Sequence, residues 1–229
     1  MNAQPIRATL LVSLSALAML VGVGLVSSLP AVPAADRVLE RTIPARLLPV
    51  FVLRGSAAAY TNRSMQGQWW LVAFGYAGCP DVCPTTLAQL VNVRRLIVAA
   101  GKTPPSVLFV SVDPRRDTPQ LLQNYVAYFS PSFIGVSGAP AQLEVFADAL
   151  GANFSVHDSV HDSAAYAVGH STAVLLIDPG GRLVARVSPP FAAQQLADEL
   201  VARTALHGLA PSTLRHTHKG IMARLIAHE

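Results

Sequence analysis

Trp69-Trp70-Leu71-Val72-Ala73-Phe74-Gly75-Tyr76-Ala77-Gly78-Cys79-Pro80-Asp81-Val82-Cys83-Pro84 is the stretch on which the fold of this chain turns. Residues 69–76 form an unbroken apolar run with aromatics, the pattern of a strand buried on both faces. From Pro84 to about Ala100, Leu87, Leu90, Val91, Arg94 and Val98 recur at helical spacing, and Gly101 ends the run. A buried strand, a tight turn and a helix therefore follow one another, with both cysteines of the chain in the turn.

The same pattern repeats outward from this unit. Ser106–Val112 reads as a second core strand closed by Asp113-Pro114. Thr118-Pro119 opens a helix to about Phe129, since threonine caps and proline lacks only an N–H that the first turn would leave free. Phe133–Val136 is a short third strand, and Pro140–Leu150 a helix ended by Gly151. Ser171–Asp178 and Leu183–Val187 form a hairpin around Pro179-Gly180-Gly181, and Phe191 to about Leu206 is a closing helix. Pro49–Leu53 is a short first strand, Gly55–Gly67 a hairpin or loop, and 152–169 polar and irregular. Strands alternating with helices predict an α/β sandwich with a central mixed sheet, in the element order of a thioredoxin-like domain carrying an insertion. Chemistry in such sheets gathers at the carboxyl ends of the strands, where Cys79 and Asp113 fall.

Upstream, Ala8–Leu29 is uncharged and apolar. About 20 such residues span a bilayer as a helix. Arg7 precedes it, on the side the positive-inside rule keeps in the cytoplasm. Residues 1–29 are therefore expected to be one N-terminal transmembrane anchor, with a cleaved signal peptide ending near Val32-Pro33-Ala34 as the alternative. Residues 30–49, with Pro30, Pro33, Pro44 and Pro49, read as a linker, 50–206 as the thioredoxin-like domain, and 207–229 as a C-terminal tail. The expected setting is a bacterial cytoplasmic membrane crossed once, with the domain in the periplasm. Net charge is only +4, and the basic residues, fifteen arginines and two lysines, are scattered, so nucleic acid is not an expected partner.

Two cysteines separated by three residues cannot cross-link a large loop, so they read as chemistry rather than a structural staple. A helix start beside Cys83 favours a thiolate, which is both the nucleophile of disulfide exchange and a soft ligand for Cu(I).

The segment Phe74-Gly75-Tyr76-Ala77-Gly78-Cys79-Pro80-Asp81-Val82-Cys83-Pro84 resembles the FGYxxCPDVCP signature of the Sco/SenC family of copper-handling proteins. Val110–Pro119 (VSVDPRRDTP) is similar to that family's SVDPxRDTP, and Tyr166–Ser171 (YAVGHS) to its YxVDHS. The likeness covers about Phe51–Leu206. It implies a thioredoxin-like fold, an N-terminal anchor, and a copper site made by Cys79, Cys83 and His170, for Cu(I) and with Cu(II) left open. It further implies delivery to the binuclear copper site of a cytochrome c oxidase subunit, and exchange with other copper carriers. Gly169 departs from the pattern, standing where the family often has an acid before its histidine, which bears on how His170 is oriented.

The second reading makes Cys79 and Cys83 a redox pair, in an oxidoreductase that reduces the metal-binding cysteines of its target. A disulfide consumes both thiolates, so that state is not the copper site. A peroxidase is disfavoured, because Tyr76 stands where peroxiredoxins have a threonine. Among weaker candidates, Asp81 shapes the loop, Asp113 reads as a turn, Asp117 and Thr118 as caps, and Arg115 and Arg116 as a solvated loop or a dock for an acidic partner. Tyr166 is a further candidate near the histidine. His157 and His161 read first as loop residues and secondarily as an accessory metal pair. His216 and His218 fall in an amphipathic tail segment with Leu214, Ile221, Met222, Leu225 and Ile226.

Overall fold

The structure is a computed structural model that describes residues 38–157 and 167–208; for Ile43, Val156, His157, Ala167, Val168, His170 and residues 206–208 it describes the backbone alone. The strands are β1 (Glu40–Leu47), β2 (Val52–Gly55), β3 (Ala59–Thr61), β4 (Trp70–Gly75), β5 (Ser106–Ser111), β6 (Ile134–Ser137), β7 (Phe154–His157), β8 (Ala167–His170), β9 (Val174–Ile177) and β10 (Arg182–Val187). The helices are α1 (Val82–Ala99), α2 (Pro119–Phe129), α3 (Pro140–Leu150) and α4 (Ala193–Gly208).

Eight strands form one mixed sheet in the order β1-β10-β9-β4-β5-β6-β2-β3, and β7 pairs with β8 in a sheet of their own. β4, β5 and β6 run parallel, while β9 lies antiparallel to β4. The apolar run that opens the sequence is the centre of this sheet, and its side chains alternate between two cores. Leu71 and Ala73 of β4, with Val107 and Phe109 of β5, join one face with α1, α2 and α4. Trp70, Val72 and Phe74, with Leu108 and Val110, join the other with α3. Burial on both faces is why neither strand shows polar alternation. Leu48 and Phe51 close the second face, where the Phe51 and Phe146 rings lie 4.4 Å apart.

The α/β sandwich with a central mixed sheet is as expected, and the departures from the sequence reading have local causes. Residues 40–47, expected within the linker, form edge strand β1 against β10. Pro44 is tolerated because it falls in the break of register between Arg41 and Arg46, on an edge where its missing N–H breaks no ladder. The stretch expected to be irregular contains the β7–β8 hairpin, in which Ser155 pairs with Gly169 and Phe154 with His170. Its residues lack the apolar signal of a core strand because it stands outside the main sheet. Helix α1 begins at Val82 rather than Pro84; the proline fits in the first turn, where N–H groups have no helical partner. Thr118 caps α2 as expected, accepting from the Leu121 N–H at 3.2 Å.

The expected anchor over 1–29, the first part of the linker, residues 158–166 with His161 and Tyr166, and the tail with His216 and His218 lie outside the described residues. Among the described residues no helix is long and apolar enough to cross a membrane.

Candidate functional site

β4 ends at Gly75, the chain turns through Tyr76–Pro80, and Asp81 precedes the first turn of α1, which contains Cys83. The Cys79 N–H closes the turn by donating to the Tyr76 carbonyl at 3.2 Å. Both cysteines are free and buried, at 9% and 3% exposure, so solvent meets Cys79 more readily than Cys83. Their thiols are hydrogen-bonded to one another, and a backbone bond from Tyr76 also reaches Cys83.

Gly75 is required by this arrangement. A β-carbon there would lie 2.6 Å from Cys83 Sγ and 2.7 Å from the edge of the Phe109 ring, both well inside contact distance. The sulfur therefore rests directly against the backbone of the central strand.

The helix start is expected to favour a thiolate at Cys83, and burial opposes it. Burial, the largest influence, pushes the Cys83 thiol far above its ordinary pKa, and the bond to Cys79 acts in the same direction. The bond from Tyr76 opposes both. A helix N-terminus stabilises charge by roughly 1 kcal/mol, less than the cost of removing a thiolate from water in an apolar pocket.

The loop after β5 holds the turn from beside it. The Ala77 N–H donates to Asp117 Oδ2 at 2.8 Å, and the Ser111 hydroxyl donates to the same oxygen at 2.6 Å. Asp117 is thus a brace for the cysteine turn and not the cap it was expected to be. Burial raises its carboxyl pKa, and the bonds from Ser111 and Ala77 work against that rise. Asp113 makes the expected turn, its carbonyl accepting from the Arg116 and Asp117 N–H groups. Its buried carboxylate pairs with the Arg116 guanidinium, which stands over the Tyr76 ring 5.7 Å from the centroid. Arg116 is accordingly pinned while still reaching the surface, where Arg115 and Asp81 are also exposed. The bracing role of Asp117 had one sequence signal: Asp113 and Asp117 put two acids in a loop whose helix is already capped by Thr118.

His170 is the last residue of β8. Two residues on, Thr172 lines a cavity of about 10 Å³ together with Cys83, Thr86, Phe74 and Phe109. That is room for at most one water. The chain leaving His170 therefore runs against the wall of the cysteine pocket, and the α-carbon of residue 170 lies within about 7 Å of that of Thr172 by chain reach. His157 stands on β7 opposite Ala167, three pairs along the hairpin from His170. Among the described residues no group of three or more His, Cys, Asp or Glu side chains is positioned to hold a metal ion.

Residues 44–205 match the family described as SCO1/SenC. The chain belongs to this family. A mitochondrial SCO2 homologue of Bos taurus is 35% identical over 136 residues, covering 59% of this chain and 51% of that protein. An SCO2-like protein of Rickettsia prowazekii is 29% identical over 150 residues, 66% of this chain and 73% of that one. The chain thus spans between half and three quarters of these two curated relatives. Among solved structures, Bradyrhizobium japonicum ScoI with copper bound superposes with a TM-score of 0.60 at 32% identity, over 68% of this chain and 98% of that one. The Sco likeness in the fold is the thioredoxin-like sheet described above.

Proposed function

We propose that this SCO1/SenC protein binds a copper ion through Cys79, Cys83 and His170 and delivers it to the copper-site subunit of cytochrome c oxidase. The observation that carries the reading is the adjacency of two reduced sulfurs on a braced turn, with the segment that follows His170 against the same pocket. Two thiolates and an imidazole suit Cu(I), a soft ion content with three ligands. Copper is the cargo here, and its binding displaces the proton of the Cys83 thiol, whose pKa burial raises. Support also comes from the copper-bound state of the Bradyrhizobium japonicum relative. The uncharged run Ala8–Leu29 would tether the domain to the outer side of a bacterial cytoplasmic membrane.

The test is a Cu(I) titration against a competing chelator, using reduced wild type and the Cys79→Ser, Cys83→Ser and His170→Ala variants. One ion per chain is expected for wild type, with affinity reduced at least a hundredfold in each variant. Undiminished affinity in any of the three removes that residue from the site.

The hydrogen-bonded thiols also favour a second role, in which the pair closes to a disulfide while reducing the cysteines of the target. His170→Ala separates the two: copper affinity falls, while disulfide exchange with a small dithiol persists.

A further inference from the structure

The end of the main sheet away from the cysteine turn has a groove that the proposed function does not use. β4 runs from Trp70 to Gly75, so Trp69 and the cysteine turn lie at opposite ends of this strand, about 20 Å apart at the rise of an extended chain. The groove measures about 440 Å³. It is lined by Trp69 ahead of β4, by Pro104 and Pro105 ahead of β5, and by Val201 and Ala205 of α4. The Ser106 N–H donates to the Trp69 carbonyl at 2.9 Å, and the Arg94 guanidinium to the Pro105 carbonyl, so the strand side of the groove is held in place. Trp69 is half-buried and Ala205 exposed.

The chain leaves α4 beside this groove. α4 ends at Gly208, three residues beyond Ala205. Pro211 follows, and a proline at that distance does not continue a helix. Farther on, Leu214, Ile221, Met222, Leu225 and Ile226 would fall within about 140° of one another at 3.6 residues per turn, with Arg224 outside that arc. A helix of this pattern gains stability chiefly by laying its apolar side on an apolar surface. From Gly208 to Leu214 the link extends to about 20 Å, enough to turn back onto the adjacent groove. So short a link presents the segment at an effective concentration on the order of millimolar, above that of a free partner at micromolar levels.

We infer that residues 209–229 dock in cis, laying the apolar side of an amphipathic helix in this groove and covering Trp69. The inference concerns the end of the sheet opposite the proposed metal site and does not depend on copper.

The chain has two tryptophans, and Trp70 is 2% exposed, so acrylamide quenching of the protein's fluorescence reports on Trp69. The full chain, reconstituted in bilayer discs, is compared with its Ile221→Asp and Leu225→Asp variants and with a chain shortened to end at Gly208. The quenching constant is expected to rise about twofold in the two variants, because a carboxylate opposes burial in an apolar groove. The shortened chain is expected to show the same rise, and Trp69→Phe to abolish it in all three. Equal quenching in the full chain and both aspartate variants overturns the inference, whatever the shortened chain does, and leaves the segment to the bilayer or to solvent. Protection of Trp69 that is lost on dilution also overturns it, giving the groove to a second copy of the chain. A rise that survives Trp69→Phe overturns it as well, since the change would then lie at Trp70 in the core.

Discussion

The cysteine turn and the histidine hairpin supply the same proposed site from very different surroundings. Cys79 lies in the turn between the central strand of an eight-stranded sheet and an 18-residue helix, and Cys83 in the first turn of that helix. Asp117 braces that turn, and Arg116 stands over Tyr76. His170 ends a four-residue strand in a two-stranded sheet outside the main one. The contrast teaches that two of the three proposed ligands belong to a turn built into the main sheet, while the third is supplied by a separate two-stranded sheet. Changes at the turn should therefore disturb stability and metal binding together, and changes at the hairpin should touch binding alone.

The largest break in that comparison is Gly75→Val. A side chain here collides with Cys83 Sγ and the Phe109 ring, so the variant is expected to lose about 3 kcal/mol in urea unfolding. Its Cu(I) affinity should fall as well; a variant of normal stability and affinity would show that the turn is softer than its packing implies.

Next comes Asp117. Replacement by alanine leaves the Ala77 N–H and Ser111 hydroxyl without their acceptor, a loss of about 2 kcal/mol. Replacement by asparagine keeps an acceptor and removes a charge that burial disfavours, so it should cost less. Because folding raises this pKa, the stability Asp117 contributes is fully present below the ordinary carboxylate pKa. It is lost as pH rises through the raised value. The asparagine variant should lack that acid-side gain in melting temperature, and an unchanged pH profile would exclude Asp117 as its source.

Cys83 itself gives a kinetic measure of the turn. In a Cys79→Ser variant, alkylation by iodoacetamide should quicken about tenfold per pH unit from 7 to 9 without levelling. The sign follows from the raised thiol pKa, which keeps the thiolate a minor species over this range. A plateau at or below pH 8 would contradict it.

The smallest effect is expected on the hairpin. A β-carbon at Gly169 would stand 3.0 Å from Ser155 Oγ, a hydroxyl on an exposed residue that can rotate aside. Gly169→Ser should change stability by less than about 0.5 kcal/mol. A larger loss would mean that the hairpin is as tightly held as the turn.

The same contrast governs how much could be read from the sequence. The core strands and α1 were legible because apolar runs and helical spacing record burial directly, as Leu71–Phe74 and Leu87–Leu90 do. Edge strand β1 was not, because Pro44 and the exposed residues around it carry no core pattern. The cysteine pair was legible from its spacing, but the protonation of Cys83 was not, since a motif marks the helix start and says nothing of how deeply the sulfur is buried. Asp117 was mistaken for a cap because its partner, Ala77, is distant in sequence and brought near only by the pairing of β4 with β5.

Gly75 also sets a condition for transplanting this chemistry. Copying the CPDVC segment onto another sheet would move the sulfurs without their seat. A recipient scaffold must also offer a strand whose final position carries no side chain and whose neighbour presents an aromatic edge at the same height, so the smallest portable unit consists of two adjacent strands and the start of one helix.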